Sequence, residues 1–306
     1  MKYIVSLFLL TASVFALTAC EPGTEPTAKA VENQRPQKLI ITAIPDDGDA
    51  DRMREHFGAL AKHLGDAVGI PTEYMHVENY AASVTALATG RAHLAWLGAV
   101  TTAQAHMQMN DDLVVVGARD IDKGFVSYFI AHGAAGISPV DDLKELAEAA
   151  KGKEWSFTFG SKSSTSGHLM PRNFFTEQSG LSPENVFRTV AYSGSHDVVM
   201  QQVAAGSFTL GAMNFASWDK ASDKLKTNAP IIYKSPAFTN YCLAARTDLG
   251  EKLLAELRAA LLSLSTDTEE GRKILGYLKA GKFIEADLDE WAGYRAMLES
   301  GVDIGG

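Results

Sequence analysis

The chain has 306 residues, 46% of them hydrophobic and 21% charged, with 26 Gly, 10 Pro and 2 Cys. That is a globular composition with room for two lobes, and it excludes a disordered chain, a collagen-like fibre and a disulfide scaffold. Its 28 Lys and Arg stand against 37 Asp and Glu, a formal charge of −9. This argues against binding nucleic acid or an anionic membrane through the overall field, but leaves open a local anion site built from neutral donors.

Lys2 and the apolar run Tyr3–Leu17 are too short for a membrane span of roughly 20 residues and read as a secretory signal over residues 1–19. The run ends Leu17-Thr18-Ala19-Cys20. Small residues before a Cys resemble the bacterial lipobox, in which Cys20 is lipidated and becomes the mature N-terminus. The alternative is ordinary cleavage near Ala19. Residues 20–36, with Pro22, Pro26, Pro36 and no aromatic, read as a flexible tether. With Cys20 used for lipid, Cys242 has no disulfide partner and reads as a small buried hydrophobe.

From there strands and helices alternate. Leu39–Ile44 is a β-rich run stopped by Pro45, and Met53, Phe57, Leu60, Ala61, Leu64 and Val68 share one helical face. A strand over Pro71–Val77, a helix from the Asn79 cap to Thr89 with Gly90 as its stop, and a strand over His93–Leu97 follow. Further strands are predicted at Leu113–Ala118, Phe125–His132, Trp155–Phe159, Val186–Tyr192, Phe208–Met213, Ile231–Lys234 and Tyr241–Ala245. Helices over Leu249–Leu264 and Glu269–Leu278 close the chain. The alternation predicts a mainly parallel sheet covered by helices. An internal echo accompanies it. Aligning Gly90 with Gly206 sets Leu87 on Val203, Leu94 on Leu210 and Gly98 on Asn214, as in two similar lobes facing across a cleft. Ligands of such sheets gather at the carboxyl ends of strands.

The chemistry concentrates after Phe159. Gly160-Ser161-Lys162-Ser163-Ser164-Thr165-Ser166-Gly167-His168 places five hydroxyls in six positions between a strand and a helix. The first N–H groups of that helix have no internal partner, and with the hydroxyls they form a neutral site for an anion. Neither nucleotide fingerprint is present, since His168 follows Gly167 where a phosphate loop needs Lys. Asp47, Asp49 and Asp51 lack the Gly and Glu of a calcium loop and read as charges on a helix N-terminus. Ser195-His196-Asp197 holds the residue types of a hydrolase triad, but adjacent positions cannot converge as a triad does. No metal site, cofactor or catalysis is expected. Asp46 ends the first strand where a cleft opens, and Tyr192 and Tyr241 are the aromatics expected to wall it.

Ser164-Thr165-Ser166-Gly167 with Pro171 resembles the S-T-S-G…P signature of the phosphonate, phosphite and phosphate substrate-binding proteins of ABC importers. His93–Gly98 resembles their D-x-A-W-x-G strand with His93 for the Asp, and Tyr233-Lys234-Ser235-Pro236 their x-K-S-P crossing. Ala43–Asp46, Phe159–Ser161, Ser163–Arg172 and Ala191–Asp197 resemble the subgroup labelled selenate-binding. The resemblance implies an α/β bilobed periplasmic-binding-protein fold of type II. Lobe 1 would take residues 37–128 and 237–306 and lobe 2 residues 129–236, with hinge strands near Phe125–His132 and Tyr233–Phe238. It implies a monomer that captures a small oxyanion in the periplasm, anchored to the membrane through Cys20, and hands it to an ABC permease. A sensor-kinase subunit binding an oxyanion or arsenite, and a transferase using the same cleft, are the alternatives. Carried over, Ser164, Thr165 and Ser166 grip the oxyanion, and His196 contacts its oxygens. Leu97 stands where phosphonate binders often have a tyrosine, and Asn214 stands close to where they tend to have an acid. That missing acid favours selenate or sulfate over an aminophosphonate, unless Asp46, Asp47 or Asp219 points into the cleft. Phosphate and phosphite stay open.

Overall fold

Short β-rich runs buried along almost their whole length, and a 3.6-residue apolar period between them, give sheets covered by helices. A computed structural model describes residues 35–110 and 112–301. The expectations for the signal, for Cys20 and for most of the tether lie outside these residues. Arg35, near the end of the expected tether, is ion-paired with Glu256 and donates to the carbonyl of Val68 at 3.3 Å.

The strands are β1 (Leu39–Ala43), β2 (Thr72–Met75), β3 (Leu94–Leu97), β4 (Leu113–Arg119), β5 (Ser127–Ala131), β6 (Ser156–Phe159), β7 (Thr189–Tyr192), β8 (Leu210–Asn214), β9 (Ile231–Lys234), β10 (Cys242–Arg246) and β11 (Phe283–Ile284). Between them lie α1 (Ala50–Val68), α2 (Tyr80–Ala88), α3 (Ala99–Met109), α4 (Leu143–Ala149), α5 (Met170–Ser179), α6 (Pro183–Val186), α7 (His196–Ala204), α8 (Phe215–Lys220) and α9 (Asp223–Asn228). After β9 come α10 (Glu251–Leu262), α11 (Glu269–Leu278) and α12 (Ala292–Glu299). The predicted strand over Val186–Tyr192 is shorter than expected, because Pro183 in the first turn and the Ser182 cap start α6 instead. Gly250, at φ +79°, separates a single turn over Thr247–Leu249 from α10, so the helix predicted over Leu249–Leu264 begins at Glu251.

The strands form two sheets, ordered β11-β4-β10-β3-β1-β2 and β7-β6-β8-β5-β9. The expectation of a mainly parallel sheet is corrected. β1 pairs parallel with β2 and β3, and β6 with β7 and β8, but every pairing of β5, β10 and β11 is antiparallel. The cause is the chain path. It leaves the first sheet after Arg119 and returns after Lys234, and each crossing feeds a strand that runs back between its neighbours. The crossings lie side by side, with Phe125 and Phe238 exchanging backbone hydrogen bonds at 3.0 and 2.9 Å. This is a bilobed α/β fold of the periplasmic binding protein kind.

Each sheet has its own core. α1, α2, α3, α10, α11 and α12 cover the first around Leu39, Ile41, Leu94 and Leu243. On the second, neighbouring residues of β5 face opposite ways: Phe129 packs with Phe157 and Phe175, and Ile130 with Val199 and Val203. Gly90 and Gly206, aligned in the internal echo, turn at φ +75° and +76°, a conformation that suits glycine. The strands that follow end on Gly98 and Asn214, the N-caps of α3 and α8. The two units therefore deliver helix N-termini at equivalent places, one from each lobe.

Candidate functional site

The hydroxyl-rich segment after β6 makes a widened helical turn, Thr165–Leu169, that runs on into α5. Its bonds span five residues, the N–H of Leu169 donating to Ser164 O at 3.0 Å. Ser164 caps it, Oγ accepting from the Gly167 N–H at 2.9 Å. Thr165 faces the other lobe: its Oγ1 accepts from the N–H of Val100 at 2.9 Å. α3 has no capping side chain of its own, since its N-cap is Gly98. Ser166 carries a buried Oγ with no partner among the described residues, and its carbonyl accepts from Ser127 Oγ at 2.7 Å. Gly167 is required by the packing. A Cβ there would lie 2.9 Å from both His196 Cε1 and Ser164 Oγ.

His196 opens α7 and is fully buried. Asn214 donates its backbone N–H to Nδ1 at 3.2 Å, which leaves the proton of the neutral ring on Nε2. Burial, helped by the charge of Lys220, lowers its pKa to about 3, so the ring is a neutral donor at physiological pH. Nε2 has no partner among the described residues. The same holds for the hydroxyl of Tyr80 and for both side-chain polar atoms of Asn240. Tyr80 faces the Ser164 hydroxyl. Asn240 approaches the turn at Gly98, where an added Cβ would lie 3.3 Å from Asn240 Oδ1 and 3.2 Å from Thr165 Oγ1. Buried polar atoms in folded proteins are nearly always paired. Here Tyr80, Ser166, His196 and Asn240 present unpaired ones around a single turn, an arrangement made to receive a polar guest.

Neither Tyr80 nor Asn240 was among the residues read from the sequence. For Tyr80 the signal existed, because the alignment of Gly90 with Gly206 also sets Asn79 and Tyr80 on Ser195 and His196, the N-cap and first residue of α2 and α7. For Asn240, on the second crossing, no sequence pattern pointed to it.

Beside the turn, Asn214 Nδ2 donates to the Tyr241 hydroxyl at 3.4 Å, and Tyr241 stacks on Trp96 with ring centroids 5.7 Å apart. Asp46, Tyr241, Trp96, Phe125, Arg119 and Lys220 all line a cavity of about 270 Å³. Burial raises the pKa of Asp46, while Lys220 and the Tyr241 hydroxyl oppose the rise. A second recess of about 310 Å³ opens between Asn79, Tyr80, Ser161 and Ser195, and Asp47 lines both. Leu97 and Tyr192 are placed elsewhere. Leu97 is fully buried in the core of the first sheet. The Tyr192 hydroxyl meets His168 Nε2 at 3.2 Å and accepts from Arg172 at 3.1 Å, within the second lobe.

The family model for the ABC transporter, phosphonate, periplasmic substrate-binding protein matches residues 41–291. The chain belongs to that family. It is 32% identical over 264 residues to the probable ABC transporter phosphite binding protein PhnD1 of Prochlorococcus marinus, covering 84% of this chain and 87% of the relative. The phosphonates-binding periplasmic protein of Escherichia coli is 26% identical over 223 residues, 70% of this chain and 63% of that protein. The structure of PhnD1 from Prochlorococcus marinus in complex with methylphosphonate superposes with a TM-score of 0.80 at 31% identity, covering 86% of this chain and 98% of that one. A binding protein component of an ABC phosphonate transporter from Pseudomonas aeruginosa shares the fold, with a TM-score of 0.73, 20% identity and 85% of each chain covered.

In this member of the phosphonate-binding family the unpaired polar atoms of Tyr80, Ser166, His196 and Asn240 are all on neutral side chains, and the charged groups pair with one another. Asp47 accepts from Arg52 Nε at 2.6 Å and from Lys220 Nζ at 2.7 Å, and Arg52 also reaches Asp197 at 3.2 Å. Burial works against the Asp47 carboxylate, yet these two cations outweigh it and hold its pKa well below the usual range. Asp46 and Asp47 do face the cleft, so the condition under which a protonated or aminated ligand is disfavoured is not met. Among the described residues no group of His, Cys, Asp and Glu is arranged to hold a metal ion.

Proposed function

We propose that this chain captures phosphite or a small phosphonate in the periplasm and delivers it to its ABC permease without chemical conversion, anchored to the membrane through lipid on Cys20. The observation that carries this reading is the set of buried, unpaired polar atoms on Tyr80, Ser166, His196 and Asn240 around the Ser164–Gly167 turn. Neutral donors at a helix start hold an anion by dipoles, and they need no countercharge to be neutralised on release. The site joins residues of both lobes, so ligand favours the closed form over the open one. Phosphorus ligands come first because the matched relatives are a phosphite binding protein, a phosphonates-binding protein and a methylphosphonate complex. No described helix is long and apolar enough to cross a membrane, and in this reading the attachment is the lipid on Cys20. Service to a sensor kinase would use the same fold and site.

The test is a thermal-shift panel of phosphite, methylphosphonate, aminoethylphosphonate, phosphate, sulfate, selenate and arsenite. A ligand that binds only the folded state raises the melting temperature, more so the tighter it binds. Phosphite or methylphosphonate should give the largest shift, and the reading fails if no phosphorus oxyanion gives any. Mass spectrometry of the mature N-terminus, with Cys20→Ser as control, tests the anchor.

A further inference from the structure

Resting on the reading of this chain as a phosphite or phosphonate binder, we infer that Asn240 selects the monoprotonated form of the ligand and thereby rejects sulfate and selenate. Its backbone is held at both ends: the N–H donates to Asp122 O at 3.0 Å, and the carbonyl accepts from the Trp291 indole at 2.6 Å. The side chain is 1% exposed, flanks Gly98 together with Thr165, and has both polar atoms free among the described residues.

A census of the unpaired groups shows what is special about this amide. Nε2 of neutral His196 can only donate, because Nδ1 already accepts from Asn214. The hydroxyls of Ser166 and Tyr80 can rotate to donate or accept. Of the four groups around the turn only the Asn240 amide carries an obligatory acceptor; Asp197 Oδ1, unpaired as well, lies 3.9 Å from Lys220 Nζ, and the Asp46 carboxyl is engaged by the Tyr241 hydroxyl. Turning the amide over exchanges its two ends but still presents one donor and one acceptor, since neither end is bound elsewhere. A tetrahedral anion without a proton offers acceptors alone, and it leaves the amide oxygen buried without a donor. A hydrogen phosphite or hydrogen phosphonate supplies one P–OH to that oxygen and one P–O⁻ to the NH₂. Sulfate and selenate carry no proton at neutral pH.

The titratable groups packed against the Asn240 segment are the Asp122–Arg119 pair, Tyr241, Tyr294 and, beyond Trp291, Glu290 paired with Lys123, and those elsewhere in the cleft are Asp46 with Lys220, His196, Asp197 and Tyr80. The test separates them from the ligand by using two ligands of different second ionisation. Phosphite and methylphosphonate are titrated calorimetrically into the wild-type protein from about pH 7 to about pH 9, with sulfate and selenate at about pH 7. Each phosphorus ligand should lose about tenfold in affinity per pH unit above its own second ionisation, so the two profiles are displaced from each other. Asn240→Ala should narrow the preference for methylphosphonate over sulfate by about tenfold. Asn240→Asp, which keeps an acceptor, should preserve the preference. Flat or coincident profiles, or sulfate binding as tightly as methylphosphonate, overturn the role of Asn240 while leaving the family reading intact. No binding of either phosphorus ligand at any pH would instead overturn the functional reading. The wild-type measurements stand whether or not the alanine variant folds.

Discussion

Lys220, at the end of α8 in one lobe, donates to the carboxylate of Asp47 before α1 in the other at 2.7 Å. Arg52 returns the connection, binding Asp47 within its own lobe and Asp197 across the cleft at 3.2 Å. Two cations and two carboxylates thus tie the mouth of the cleft shut. Asp47 is 8% exposed and the two cations 33% and 40%, so the cluster lies between a surface pair and a buried one. Lys220→Met should weaken ligand binding by about 1–2 kcal/mol, roughly 5–30-fold, mainly through faster dissociation. Stopped-flow release measured with wild type and variant checks this, and unchanged dissociation would show that the cluster does not hold the closed form.

Asp197 responds to pH in the opposite sense from Asp47. Burial, reinforced by the neighbouring Asp47, raises its pKa to about 6. Between about pH 4 and that value the folded state holds a proton that the unfolded chain has released, so this group's contribution to stability falls as pH rises. Asp197→Asn removes the penalty. The melting temperature of the variant should gain on wild type across that window and level off above it. A constant difference at all pH values would contradict the assignment.

The two serines of the turn should separate stability from binding. Ser164 caps the turn through the Gly167 N–H, so Ser164→Ala should cost about 1 kcal/mol of stability. Ser166 Oγ has no partner, so Ser166→Ala should leave the melting temperature of the ligand-free protein unchanged or higher. Its ligand affinity should nevertheless drop by about 1.5–3 kcal/mol, the worth of a hydrogen bond to a charged acceptor. Calorimetric titration and thermal melts of both variants decide this, and equal behaviour of the pair would remove Ser166 from the site.

His196 should remain neutral far into acid. With its pKa lowered to about 3, stability is lost as pH falls from the ordinary histidine range toward that value, because the unfolded chain takes up a proton that the folded ring refuses. Nitrogen-detected NMR of the imidazole should show a single tautomer, protonated on Nε2, at about pH 5. A charged ring there would refute the donor role.

Much of this arrangement was legible in the residues. The helical spacing of Met53 through Val68 gave the buried face of α1, and the Gly90–Gly206 alignment located two equivalent turns and two equivalent helix starts. The dense hydroxyl run located the turn, since one Ser is enough to cap a helix start and the excess points to a further use. What stayed hidden depended on neighbours distant in sequence. Strand direction at β5 and β10 follows from where the chain re-enters a sheet, which local periodicity does not encode. Asn240 matters through bonds it does not make within the protein, a property no spacing reveals, whereas Tyr80 was within reach of the Gly90–Gly206 alignment. Leu97 and Tyr192, both at the carboxyl ends of strands, are drawn instead into packing and into the His168–Arg172 network.

The position of β10 also orders events during synthesis. The second sheet draws on one continuous stretch, residues 127–234, and can assemble as soon as that stretch exists. The first sheet cannot, because β10 lies between β3 and β4 and is made more than a hundred residues after them. Until it arrives, two strands from the amino-terminal part stand with bare edges, open to pairing with other chains. Protection of the nascent polypeptide is therefore needed most over residues 94–119, whose open edges are covered only by strands made long after them.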